Sequence, residues 1–69
     1  MSKFFAIDWS VDPSKCRTHP PKPSFREAFE CCKHKTISDP QVSDEYSEIY
    51  ELNQFNAIIK TFHLTPNQP

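Results

Sequence analysis

The chain has 69 residues, of which 36% are hydrophobic and 25% are charged, and its formal net charge is −1. A core of this size contributes only about 3–5 kcal/mol, so we expect a metal ion, a disulfide or a partner to complete the fold. The chain has no glycine, which excludes P-loop and dinucleotide-binding motifs and hairpin turns of the Asn-Gly type. So short a chain also has few residues with which to enclose a substrate pocket, and we expect it not to be an enzyme.

We expect residues 1–12 to form an extended arm. Large apolar side chains alternate there with small or polar ones, which is the period of a half-buried strand. The apolar members are Phe5, Ile7, Trp9 and Val11. Residues 13–23 follow as a linker with four prolines, which favour an extended polyproline-like path over a packed core.

We expect residues 24–64 to form a helical hairpin. Its first helix spans 24–35, because Ser24 is a good N-cap and Glu27 completes a capping box. An apolar stripe at helical spacing supports this helix. Its members are Phe25, Ala28, Phe29 and Cys32.

A second helix is predicted to begin at Asp39-Pro40. Its apolar residues lie on two roughly opposite sides, so one straight helix cannot bury them all in a small core. The first side has Val42, Tyr46, Ile49 and Tyr50, and the second has Phe55, Ile58, Ile59 and Phe62. The alternative is a strand over 57–64 that pairs with the arm, which would make the fold α+β. The prediction is otherwise a mainly α fold with a polar tail at 65–69.

Cysteine and histidine form the one chemically informative pattern, two Cys-x2-His pairs. Structural zinc sites use four such ligands from two close pairs, and we predict a zinc site formed by Cys16, His19, Cys31 and His34. The alternatives are a disulfide from Cys16 to Cys31 or Cys32, which would contribute about 3 kcal/mol, and free thiols. A nucleophilic cysteine is disfavoured, because no oxyanion hole is identifiable.

The surplus of apolar surface predicts an accessory or structural subunit, or another interaction protein, of a larger protein assembly. Respiratory and ribosomal complexes of organelles are the contexts that we consider. Large apolar residues near both ends are the predicted anchors for the partner, since aromatic residues dominate interface energies. They are Phe5, Trp9, Phe55, Ile59 and Phe62.

The alternative functions are a zinc-stabilised regulatory or nucleic-acid-binding module and a virus-encoded inhibitor that binds a host protein. Basic residues are concentrated within 13–36, whereas 38–51 carries acidic residues and no basic one. This acidic stretch would repel phosphates, so nucleic acid is the less favoured partner. Neither a membrane-spanning segment nor a cleaved signal is recognisable, which predicts an intracellular protein, cytoplasmic or organellar, with mitochondria included.

Overall fold

The computed structural model describes residues 3–37 and 44–66. These residues form a five-stranded antiparallel sheet and one short helix. The elements in chain order are β1 (Lys3–Ser10), β2 (Arg17–Thr18), α1 (Phe25–Cys31), β3 (Thr36–Ile37), β4 (Glu45–Leu52) and β5 (Ile58–Thr65). The order across the sheet is β2-β1-β4-β5-β3.

The prediction of a mainly α fold with a helical hairpin over 24–64 is wrong. The part of the second predicted helix that the structure describes consists of strands β4 and β5, and residues 39–43, including Val42, lie outside the described residues. β4 pairs with β1 along all eight of its residues, from Glu45↔Ser10 to Leu52↔Lys3. This long-range pairing satisfies the backbone groups of both strands and outweighs the weak local preference of β4 for helix.

The strand alternative for 57–64 coincides with β5, but the partner of this strand differs from the expected one. β5 pairs with β4, from Ser47↔Leu64 to Leu52↔Ile58, and β4 separates it from β1 in the sheet. The central strand of the sheet is therefore β4, which lies between β1 and β5.

The arm is a strand, as its alternation predicts, and the proline-rich linker packs against it. The linker begins with a short 3-10 helix, Pro13–Lys15. It then returns along the outer edge of β1, where Thr18 pairs with Ile7 and Lys22 pairs with Phe4. Residues 13–23 thus cover an edge that would otherwise expose unpaired amides and carbonyls.

Helix α1 is capped as predicted but ends earlier, at Cys31. The Glu27 amide donates to the Ser24 hydroxyl at 3.3 Å, and that hydroxyl donates to the Glu27 carboxylate at 3.2 Å. The helix covers one face of β1 and β4. The buried core lies between them and consists of Ala6, Ala28, Cys32, Ile49 and Leu64, with Phe4, Phe25, Phe29 and Phe62 around it.

The β4–β5 hairpin closes without glycine. Asn56 has a φ of 64°, the left-handed conformation that Asn tolerates better than most residues. The Asn53 side-chain oxygen accepts from the Phe55 amide at 2.8 Å and from the Ala57 amide at 3.1 Å. Asn53 and Asn56 therefore supply the turn that an Asn-Gly pair often supplies.

Candidate functional site

The sheet is covered by a helix on one side only, as far as the described residues show. Side chains alternate between the two faces of a strand, and Cα partners on neighbouring strands share a face. Ala6 and its partner Ile49 lie under α1, so the intervening residues lie on the other side, which we call the open face. Its central residues are Phe5, Ile7 and Trp9 on β1, Tyr46, Glu48, Tyr50 and Leu52 on β4, and Thr61 and His63 on β5.

The aromatic side chains of the open face are fixed by one another. The Trp9 indole N–H donates to the Tyr50 hydroxyl at 3.2 Å, and that hydroxyl donates to Glu48. The Tyr46 ring stacks on Trp9 with centroids 6.4 Å apart and on His63 with centroids 4.6 Å apart. Because these contacts already fix the ring conformations, the side chains lose little conformational entropy when a partner covers the surface.

Three polar side chains on this face belong to the same network. Burial and the hydrogen bond to Glu48 raise the pKa of Tyr50 to about 12. The second oxygen of the Glu48 carboxylate lies 3.2 Å from His63 Nδ1. The Tyr50 hydroxyl, the Glu48 carboxylate and His63 Nδ1 thus bind one another, whereas His63 Nε2 is buried without a hydrogen-bond partner among the described residues. Apart from that nitrogen, the surface offers mainly ring faces and aliphatic carbons.

The tip of the β4–β5 hairpin groups three of the five large apolar side chains that are exposed among the described residues. The exposed fractions are 79% for Phe55, 59% for Ile58 and 55% for Ile59. Strand β5 pairs with β4 on one side, and on its other side the described part of the chain supplies a partner for Thr65 and Leu64 only. At its beginning β5 therefore combines exposed aliphatic side chains with a backbone edge for which the described residues supply no partner strand.

Four of the five predicted partner-binding residues lie on these surfaces. Phe5 and Trp9 are on the open face, and Phe55 and Ile59 are at the hairpin tip. The fifth, Phe62, pairs with Ile49 and packs against the Phe25 ring at a centroid distance of 4.7 Å on the helix side. Partner binding by all five stays a prediction, but Phe62 already has an internal role.

A polar cleft lies beside β1 on the helix side of the sheet. It has a volume of about 370 Å³ and is lined by Asp8, Arg17, His19, Cys31 and Lys33. Asp8 is 6% exposed. One of its oxygens accepts from the Lys33 amide at 3.0 Å, and the other lies 2.8 Å from His19 Nε2.

Asp8 is ionised more readily than an ordinary carboxyl. Burial acts to raise its pKa, but hydrogen bonds from the Ser47 hydroxyl and the Lys33 amide, together with His19, outweigh burial and lower the pKa below its usual value. Asp8 was not among the predicted site residues, although the sequence contains a signal for it. It is an acid between apolar residues of an alternating strand, and a buried carboxylate requires hydrogen-bond donors from elsewhere.

The predicted zinc ligands are not brought together as a set. His19 and Cys31 line the polar cleft, but the Cys16 thiol donates to the Ser10 carbonyl at 3.4 Å and His34 is buried, with its amide donating to Ser47. Within 3–37 and 44–66, no group of three or more Cys, His, Asp or Glu has a metal-binding arrangement. All the cysteines are free thiols. Zinc binding stays a prediction that metal analysis tests.

Comparison with known proteins gives no relative for this chain: no family model, no curated protein and no solved structure matches it. Among the described residues, no helix is long and apolar enough to cross a bilayer. Any assignment of function therefore starts from the surfaces described above.

Proposed function

We propose that this chain is a non-catalytic interaction protein of a larger protein assembly, and that it binds a protein partner with its open face and hairpin tip. The one-sided cover of the sheet supports the proposal. A sheet face rich in Trp, Tyr, Phe and Ile gains free energy when a second layer covers it, at about 25 cal/mol per Å² of apolar surface. The described residues supply that layer on the side of α1 alone.

The chemistry of the open face favours protein over nucleic acid. Its formal charges among the described residues are Lys3 at one margin and Glu48, which is bound to Tyr50 and His63. Phosphate binding requires several Lys or Arg side chains that neutralise the backbone. Aromatic and aliphatic residues with few charges are instead typical of the buried centre of a protein interface. The partner surface is therefore apolar and nearly uncharged.

The edge of β5 that stays unpaired among residues 3–37 and 44–66 adds a second mode of attachment. A strand from the partner can pair with the exposed backbone near Ile58 and Ile59, and its side chains can pack on theirs. Main-chain hydrogen bonds would then contribute affinity, and the apolar tip would select the partner. The tip and the open face are continuous across β5 and β4.

The decisive experiment compares two isoleucine substitutions. The full chain is used to capture the partner from its source cells, the partner is identified by mass spectrometry and purified, and its affinity is measured directly. We expect Ile59→Asp to weaken binding at least about 10-fold, because it places a charge in a desolvated centre. Ile37→Asp is the matched control, since Ile37 is 65% exposed but pairs with Leu64, on the helix side of the sheet.

Trp9→Ala tests the open face itself, with an expected loss of affinity of at least about 10-fold. Trp9 is the one tryptophan of the chain, so its fluorescence in the unsubstituted protein also reports whether the face becomes covered. Equal effects of Ile59→Asp and Ile37→Asp, together with unchanged Trp9 emission in the complex, would reject this surface as the interface. Light scattering that shows a stable dimer closed through the same face would assign the surface to a second copy instead.

A further inference from the structure

The hydrogen bonds on the outer side of β1 determine the direction in which each residue of the sheet uses its backbone groups. Phe4 and Lys22 exchange both amide-to-carbonyl bonds, at 2.9 and 2.8 Å, on the side of the linker. Because these directions alternate along an antiparallel strand, Phe5 bonds toward β4, where its Cα partner is Tyr50. The residues on either side of Tyr50 therefore bond toward β5.

The same alternation identifies the backbone groups that β5 turns away from β4. The Cα partners of Ile49 and Glu51 on β5 are Phe62 and Lys60. Phe62 and Lys60 therefore bond toward β4, whereas Thr61 between them directs its amide and carbonyl outward. β3 pairs with the last two residues of β5, so no strand of the described residues meets the outward groups of Thr61.

Lys60 is the charged side chain next to this outward backbone, in a stretch that is exposed over residues 58–61. Its Cα partner Glu51 lies on the same face of β4 as the buried Ile49, which places Lys60 on the helix side of the sheet. The Lys60 ammonium lies 4.9 Å from the centroid of the Phe62 ring. No carboxylate of the described residues, that of Glu51 included, forms an ion pair with it.

The charge of Lys60 opposes pairing of β5 with β5 of a second copy. In a two-fold symmetric antiparallel pair, one residue lies opposite itself. If that residue is Lys60, the two ammonium groups face each other, and if it is Ile59 or Thr61, they are diagonal neighbours within reach of each other. A centre closer to the end of β5 is blocked, because β3 occupies this edge at Leu64. Lysine on an edge strand is a common device against such edge-to-edge association.

From this placement we infer that Lys60 selects what pairs with β5, and that the edge accepts an extended segment of the partner with Asp or Glu beside Lys60 and disfavours a second copy. The inference rests on the proposed function, which supplies the partner. The segment bonds to the Thr61 amide and carbonyl. Because side chains alternate, its residue opposite Thr61 lies on the open face and is apolar, and the next residue lies beside Lys60 on the helix side.

The first test compares two short capped peptides for binding to the unsubstituted chain. Both have valine at alternate positions, and the positions between hold glutamate in one peptide and lysine in the other. We expect the glutamate peptide to bind about 5-fold more tightly, because it pairs opposite charges across the strands. Its binding should shift the nuclear magnetic resonance of the Thr61 amide and slow hydrogen exchange there. Equal affinities, or an unchanged Thr61 amide, would overturn the inference, and no variant has to fold.

The second test measures self-association by sedimentation velocity. Lys60→Glu keeps like charges on the edge, so this variant and the parent should each stay monomeric. An equimolar mixture of the two should dimerise about 5-fold more strongly than either protein alone, with slower exchange of the Thr61 amide. An ionic strength of about 1 M, where the Debye length is about 3 Å, should remove the difference. The peptide preference should also reverse in Lys60→Glu.

Lys15→Glu is the matched control, because Lys15 is exposed in the 3-10 helix that contacts β1. Its mixture with the parent should associate no more than the parent alone. A parent chain that already dimerises through Thr61 would overturn the inference, and so would a Lys60→Glu mixture that behaves like the control. Both tests use the purified chain, so their failure is distinct from failure of the proposed function, which depends on the captured partner and on Ile59→Asp.

Discussion

Ser47 and Asp8 are 39 residues apart in the chain, yet the Ser47 hydroxyl donates to Asp8 Oδ1 at 2.6 Å. The two residues are Cα partners across β4 and β1, and both are buried. The same carboxylate oxygen accepts from the Lys33 amide, and the Ser47 oxygen accepts from the His34 amide at 3.3 Å. This small polar cluster connects β1 and β4 to the segment that follows α1.

Removal of the Ser47 hydroxyl should destabilise the fold by about 1.5–3 kcal/mol, the usual contribution of a buried hydrogen bond to a charged group. Ser47→Ala leaves Asp8 with fewer donors, and its unfolding in urea should show the loss at neutral pH. Ser14→Ala is the control, since the Ser14 hydroxyl also bonds an aspartate, Asp12, but at an exposed site. Equal stability of the two variants would mean that Asp8 is solvated in solution.

The lowered pKa of Asp8 predicts acid sensitivity. A carboxyl with a lower pKa in the folded state contributes stability that is present above its unfolded pKa of about 3.9. That contribution is lost as the pH falls through the folded value. The free energy of unfolding should therefore decrease below about pH 4, and Asp8→Asn should show a smaller decrease over the same range. Parallel pH profiles for the two proteins would contradict the assignment.

Local signals in the sequence were sufficient for some elements and not for others. The strand alternation around Trp9 and the cap at Ser24 depend on neighbouring residues, and both were predicted. Strand β4 was predicted as helix because Tyr46, Ile49 and Tyr50 fit a helical stripe as well as a strand. Pairing with β1 and β5 determines that β4 is a strand. A short stretch of sequence around β4 carries no information about these distant partners.

The candidate site could be predicted only in part for the same reason. The predicted zinc set required the proline-rich linker to fold over α1, so that Cys16 and His19 would meet Cys31 and His34. The linker instead pairs with the edge of β1, and that pairing brings His19 to Asp8 and Cys16 to Ser10. The polar cleft thus depends on the register of β2, which spacing alone does not determine.

Tyr50 predicts a loss of stability at high pH. Its pKa is about 12 in the folded chain and about 10 when unfolded, so the folded state retains the phenolic proton between these values. Stability should fall as the pH rises from about 10 to about 12. In Tyr46→Phe, where Tyr50 is the remaining tyrosine, ultraviolet absorbance should titrate near pH 12 before unfolding and near pH 10 in urea. A single midpoint near pH 10 in both states would exclude the buried network.

Ile49 should be among the most sensitive core positions. It is fully buried at the centre of β4, between Ala6 on β1 and Phe62 on β5. Ile49→Ala removes buried carbon and leaves a cavity, with an expected loss of about 2–5 kcal/mol. That loss approaches the whole stability of a domain this small, so circular dichroism should show a largely unfolded chain at room temperature. Ile37→Ala, at an exposed position, should stay within about 0.5 kcal/mol of the parent.

The turn between β4 and β5 predicts a specific requirement at Asn56. A β-branched residue does not tolerate a φ of 64°, and Asn56→Val should destabilise the fold by about 1–2 kcal/mol, whereas Asn56→Gly should be neutral or slightly stabilising. Gln54→Val is the matched control, because Gln54 is an exposed neighbour in the same turn with no positive φ. Denaturant unfolding of the three variants measures the differences. If Asn56→Val and Gln54→Val were equally stable, the left-handed residue would not hold the hairpin closed, and the orientation of Phe55 at its tip would need another cause.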